Sequence, residues 1–110
     1  MHHLDAHTAT AVDQALYCYK TCHGMAMTHC LEVGGDHAEP AHLRLMAACA
    51  EICRTTAHLL LMNSKHGKHL CSECAEVCDA CAADCERVGG MEDCVAVCRS
   101  CAQACRVLTH

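Results

Sequence analysis

The sequence predicts an all-α protein, an antiparallel up-down-up-down four-helix bundle with a cysteine-lined core. Three observations carry that expectation. Four segments rich in Ala, Glu, Leu, Met and Arg, all good helix formers, are divided by a few glycine- and proline-marked breaks. The connections between them are short, which favours antiparallel neighbours. Cysteine recurs along them at gaps of three and four, the period of a helix face, and no β-branched run suggests a strand. At 110 residues the chain is read as one domain, 1–110.

The first helix is read over residues 5–33, up to the Gly34-Gly35 break. The second covers 39–63; Asp36 is expected to help start it, and Pro40 is tolerated in its first turn, where a missing N–H costs little. Lys65-His66-Gly67-Lys68 forms the next break, and the third helix follows over 68–88. Gly89-Gly90 separates it from the fourth, over 91–108, whose Glu92 and Asp93 suit the positive end of a helix dipole.

Cysteine spacing then orients each helix. The third carries Cys71, Cys74, Cys78, Cys81 and Cys85, and the fourth Cys94, Cys98, Cys101 and Cys105. At about 100° per residue, each set spans a sector roughly 80° wide. Cys18 and Cys22 on the first helix, and Cys49 and Cys53 on the second, are pairs four apart. A bundle has one place for four such stripes, its central axis. Taking Val33, Pro40, Val88 and Met91 as a common rim gives layers. Cys30, His42, Cys85 and Cys94 form the first; Met25, Met46, Cys81 and Cys98 the second. Cys22, Cys49, Cys78 and Cys101 form the third, Cys18, Cys53, Cys74 and Cys105 the fourth, and Cys71 lies lower still.

Composition narrows the function. There are 14 Cys, 11 His and 6 Met, but only two Tyr and neither Phe nor Trp, so sulfur replaces the usual aromatic bulk of a core. A net charge of −5 with few aromatics argues against nucleic-acid binding. No run of about 18 apolar residues is present, so no membrane span is expected. The start, Met1 to His7, is neither basic nor apolar and does not read as a secretory leader. A cytoplasmic location follows, where thiols stay reduced and read as metal ligands before they read as disulfides.

Cysteines four apart on a helix sit about 5–6 Å apart at Cβ, whereas a disulfide wants roughly 3.5–4.5 Å. A metal between two sulfurs fits better. The stripes offer few hard oxygen donors, which disfavours Mg²⁺ and Ca²⁺. Soft thiolate and thioether donors select Cu(I), zinc or Fe–S clusters. Zinc would take four ligands per ion, so 14 cysteines would hold about three or four ions, normally on loops rather than inside continuous helices. No ferredoxin-type run ending in Cys-Pro occurs. Cu(I) accepts two or three sulfurs and thiolates can bridge ions, so a sulfur-lined tube suits it, and its charge compensates thiolates in an apolar core. Met25, Met46, Met91, His29, His37 and His42 gather at the Gly34/Gly89 end, opposite an apolar end with Val12, Leu16, Leu59, Leu60, Leu61, Leu70 and Leu108. The first end reads as the mouth for copper, with His42, Met46, Met25 and His29 as candidate ligands or entry residues.

Cys49-x3-Cys53, Cys71-x2-Cys74-x3-Cys78-x2-Cys81-x3-Cys85 and Cys94-x3-Cys98-x2-Cys101-x3-Cys105 together resemble the copper storage proteins, in particular their cytosolic branch. The resemblance runs from about Cys18 to Cys105. It implies bacterial Cu(I) storage in homotetramers of four-helix bundles. The chain departs from a typical cytosolic member in having fewer cysteines, chiefly on the first two helices.

Plainer readings stand beside these. A single buried cysteine is a small hydrophobe, although fourteen in aligned stripes are not explained so. Met62 and Met91 read as ordinary core ahead of ligands. His23, His58, His66, His69 and His110 read as solvent-facing, and Glu73, Glu76, Asp79, Asp84, Arg99 and Arg106 as the solvated face. Leu59-Leu60-Leu61-Met62 points in several directions, so it either caps the bundle end or buries against another subunit, and outward Leu43, Val77 and Val95 add to the second option. A homo-oligomer is expected, a tetramer with a dimer as the alternative. The rival functions are zinc or general soft-metal buffering, a thiol redox protein, for which Cys71/Cys74 is only a partial candidate, and a di-iron oxidase. The last requires two Glu-x-x-His motifs, and the chain has one, Glu39-Pro-Ala-His42.

Overall fold

A computed structural model describes residues 4–109; the readings made for Met1 to His3 and for His110 lie outside the described residues. Helix α1 (Ala6–Met25) begins at Asp5, whose carboxylate accepts the Thr8 backbone N–H at 2.9 Å. It continues without a break through a π-helical segment (Ala26–Cys30) and a closing turn (Leu31–Val33). Helices α2 (Pro40–Leu61), α3 (Gly67–Val88) and α4 (Glu92–Val107) follow, and no strand occurs among the described residues. Each helix packs on the next and α4 closes the square against α1, giving a rod of 46 × 24 × 19 Å. This is the four-helix, cysteine-cored bundle the sequence predicts.

Two local readings need correction. Asp36 does not start α2: it lies in a 3-10 turn (Gly35–Ala38), and Glu39 is the N-cap with Pro40 at the first helical position. A 3-10 turn brings the chain around in three-residue steps, which leaves Asp36 too early to reach the first free N–H groups of α2. Gly67 is the first residue of α3 rather than part of the break. It is buried, and a Cβ there would stand 2.9 Å from Leu60 Cδ2, so glycine lets α3 begin hard against the end of α2. At the other end Gly89 turns the chain at φ 82°, ψ 159°, a conformation open essentially to glycine alone.

The π-helical segment is the main event that helical counting misses. Over eight ordinary helical residues Cys30 would swing about 80° away from the Cys22 direction. A π turn takes up one extra residue, so the swing almost cancels and Cys30 returns to the axis, fully buried.

Candidate metal centre

All fourteen cysteines are free and fully buried. Alanine supplies most of the small spacers between them, with Ala11, Ala15, Ala57 and Ala82 also wholly enclosed. Small residues let the four helices approach, and the approach brings sulfur to sulfur. Cys22 lies 3.5 Å from Cys98, Cys98 3.7 Å from Cys18, and Cys18 3.9 Å from Cys49. The line goes on from Cys49 to Cys78 at 3.8 Å and from Cys78 to Cys53 at 3.5 Å. Cys53 then reaches Cys74 at 3.7 Å and Cys101 at 3.9 Å.

These contacts define three groups of four thiols whose sulfurs all lie within 4.8 Å of one another. They are Cys18, Cys22, Cys49 and Cys98; Cys18, Cys49, Cys53 and Cys78; and Cys53, Cys74, Cys78 and Cys101. The middle group shares two members with each neighbour. A metal–sulfur bond of about 2.3 Å sets sulfurs about 3.8 Å apart around a tetrahedral ion and about 4.0 Å apart around a trigonal one. The spacing therefore suits a soft ion with little movement of the helices.

The flat layers expected from a common rim are replaced by this stagger. The pairing of α2 with α3 follows the expected register, Cys49 with Cys78 and Cys53 with Cys74. Cys18, expected beside Cys105, meets Cys98 instead. Two causes act in opposite directions. The π segment rises less per residue, so Cys22 and Cys18 lie nearer the mouth than helical counting puts them. Met91 is not on the rim but buried inside it, which starts α4 deeper and lowers Cys98 and Cys101.

At the Gly34/Gly89 end Cys30 gathers a mixed set of donors. Its sulfur lies 3.7 Å from His42 Nε2, 3.7 Å from Met46 Sδ and 3.8 Å from Met91 Sδ. His42, Met46 and Met91 are all essentially inaccessible to solvent. Met91 thus takes the place expected for Met25, which is only half-buried on α1. His29 is half-buried and stacks edge-on against His37, with ring centroids 5.2 Å apart. His29 Nε2 is buried without a hydrogen-bond partner, while His37 Nε2 lies 3.0 Å from the Gly89 carbonyl. His23, His58, His66 and His69 are exposed.

Asp84 was expected on the solvated face and instead lies 2.7 Å from His42 Nδ1. Its other oxygen accepts from Arg87 Nε at 2.8 Å. Partial burial raises the Asp84 pKa, but the hydrogen bonds from Arg87 and His42 outweigh it and hold the carboxyl below its usual range. An ionised acceptor at Nδ1 keeps the proton there and turns the Nε2 lone pair toward Cys30. The one signal for Asp84 in the sequence is its position one residue before Cys85, on the flank of the sulfur stripe.

The thiols share protons along the tube. Cys49 is held well below the ordinary thiol range, first by the hydrogen bond from Cys18 and then by those from Cys22 and Cys53. Cys101 is depressed in the same way by Cys105, Cys18, Cys53 and Cys74. Among these donors Cys18, Cys53 and Cys105 are raised, Cys18 by its hydrogen bonds with Cys101, Cys22 and Cys49, whereas Cys22, which accepts from Cys18, is lowered. Cys30 is raised by burial first and then by charge at Cys85 and Cys22. A soft cation entering such a tube displaces S–H protons and takes over their compensation of thiolate charge.

Comparison with known proteins points the same way. The family model described as "copper storage protein" matches residues 4–110. A solved structure from Nitrosospira multiformis, the Nmul_A1745 protein, is 49% identical with a TM-score of 0.94, over 96% of this chain and 97% of that one. Cu(I)-bound copper storage protein BsCsp3 is 27% identical with a TM-score of 0.87, over 94% of this chain and 99% of that one. Apo-Csp3 from Bacillus subtilis matches at the same identity with a TM-score of 0.82, over 94% and 99% of the two chains. The uncharacterized cysteine-rich protein YhjQ of Bacillus subtilis is 28% identical over 82 residues, 74% of this chain and 75% of that protein.

Proposed function

Because the chain belongs to the copper storage protein family, we propose that it stores and sequesters Cu(I) in the cytosol, as a single bundle domain over 1–110 without catalytic turnover. The observation that carries this reading is the unbroken run of buried thiols from Cys22 to Cys101, every step 3.9 Å or shorter. The fourteen cysteines hold the ions, with thiolates bridging neighbours. The similarity to a Cu(I)-bound relative supports copper as the cargo, and fourteen free thiols support a reducing compartment.

Copper enters at the mouth, where His42, Met46 and Met91 surround Cys30, with Met25 and His29 as outer, weaker contacts. Thioether and imidazole donors bind Cu(I) without giving up a proton, so they pass it on readily to thiolates. The opposite end is closed by Val12, Leu60 and Leu108, all buried. Copies of the chain assemble as tetramers, or as dimers, through outward apolar residues such as Leu61 and Met62, which are 48% and 65% exposed.

Zinc is the second reading, because two of the four-thiol groups have no member in common and could each close around one tetrahedral ion. An anaerobic Cu(I) titration of the reduced protein against a chromophoric chelator separates the two. Storage predicts tight uptake approaching the count of 14 cysteines. Saturation at one or two ions would refute it.

A further inference from the structure

Thr56 is fully buried in the core, and its Oγ1 has no hydrogen-bond partner among the described residues. A helical threonine ordinarily has an easy remedy, the carbonyl one turn earlier. Thr10 uses it at 3.0 Å from Ala6 O, and Thr28 at 2.7 Å from Gly24 O. Thr56 does not.

Its level in the bundle is set by two anchors on either side. Cys53 meets Cys74, sulfur to sulfur, at 3.7 Å. Farther down, Leu60 stands against Gly67. Between these pairs, antiparallel steps of equal size along α2 and α3 bring Thr56 level with Cys71. On α4, Cys101 lies 3.9 Å from Cys53 and the next sulfur of that stripe is Cys105. On α1 the stripe has run out, and Ala15 and Ala11 fill the space. The last layer of the tube therefore holds two thiols, one hydroxyl and alanine methyl groups.

We propose that the Thr56 hydroxyl is kept unpaired in the metal-free core so that it can donate a hydrogen bond to the Cys71 thiolate once the closed end is loaded. The inference rests on the reading of these thiols as Cu(I) ligands. A neutral thiol is a weak acceptor, so the hydroxyl gains little from it. A thiolate is a charged acceptor, for which hydrogen bonds are roughly twice as strong. Two thiolates on one Cu(I) leave a net negative charge in an apolar layer; Lys68 on α3 offsets part of it at Cys71 through space, but no third sulfur reaches this level from α1. The hydroxyl oxygen is too hard to be a favoured ligand for Cu(I) itself. It acts as a positioning and charge-compensating group for Cys71.

Thr56→Val and Thr56→Ser in the full chain test this, with two readouts. The first is the thermal midpoint of the metal-free protein. The second is competition for Cu(I) against a chromophoric chelator. Thr56→Val should raise or hold the metal-free midpoint, since it removes an orphaned hydroxyl. It should also weaken one or two of the bound equivalents about tenfold to a hundredfold, the range for a hydrogen bond to a charged group. Thr56→Ser should bind as the parent does. Parent-like affinity in Thr56→Val overturns the inference alone, as does equal weakening in both variants or a lower midpoint in metal-free Thr56→Val. A parent protein that takes up only one or two ions overturns the storage reading and this inference with it.

Discussion

Replacing Asp84 by Ala should slow copper loading without reducing how much copper is held. Asp84 Oδ2 lies 2.7 Å from Nδ1 of a His42 ring that is wholly buried, and the opposite nitrogen faces Cys30 at 3.7 Å. Without the carboxylate, Nδ1–H loses its acceptor and the ring loses its reason to keep the Nδ1 tautomer. An unpaired buried donor costs about 1–3 kcal/mol. Because Asp84 is 21% exposed, water can reach part of the vacated site, which puts the expected loss nearer about 1–2 kcal/mol. For a domain of this size that lowers Tm by about 5–10 °C. Removing the partner that orients a histidine ligand typically costs 10–100-fold in metal affinity, and transfer through the mouth should slow by about tenfold. Stopped-flow transfer from a chromophoric Cu(I) chelator measures the rate, and its end point gives the capacity. Asp84→Asn, which keeps an acceptor oxygen, should fall between. Combined with His42→Ala, the Asp84→Ala effect on rate should largely vanish, because the two act as a unit. A variant that unfolds earlier yet loads at the parent rate would refute the reasoning, leaving the pair a purely structural contact.

Three further substitutions separate core from mouth and test the turn between α3 and α4. Cys53→Ser removes a sulfur that belongs to two of the three four-thiol groups and should lose one or two copper equivalents in the chelator titration. Cys30→Ser, outside all three groups, should hold the core count and slow loading; equal losses in both variants would contradict the assignment. Gly89→Ala forces a side chain into a conformation at φ 82°, ψ 159° and should destabilise the metal-free protein by about 1–3 kcal/mol, read by urea unfolding, with an unchanged midpoint counting against the strain.

The helices were legible because their signals are redundant. Residues 40–61 and 92–107 form α2 and α4, within two residues of the segments read from helix formers and breaks. The inward direction of the thiols was legible as well, since gaps of three and four have one meaning on a continuous helix. The relative heights of the helices were not. They depend on the π segment at Ala26–Cys30, which leaves no mark in composition, and on Met91 turning inward instead of marking the rim. The same two features exchange Met25 for Met91 beside Cys30. Asp84 was misread for a different reason: periodicity tells which face a residue occupies, but a side chain at the edge of a face can reach across to a neighbouring helix. Thr56 carries no sequence signal apart from falling in line below Cys49 and Cys53.

In the proposed store, the overlap of the four-thiol groups bears on traffic as much as on capacity. Neighbouring groups hold two thiols in common, so an ion leaving one can keep half its ligands while it acquires the next pair. Passage along the rod then proceeds by small exchanges, none of which exposes a bare cation to an apolar wall. If copper enters at the Cys30 end, as proposed, with leucine and valine sealing the far end, what is admitted first sits deepest and waits for later arrivals to depart. Such a store empties in the reverse of the order in which it filled.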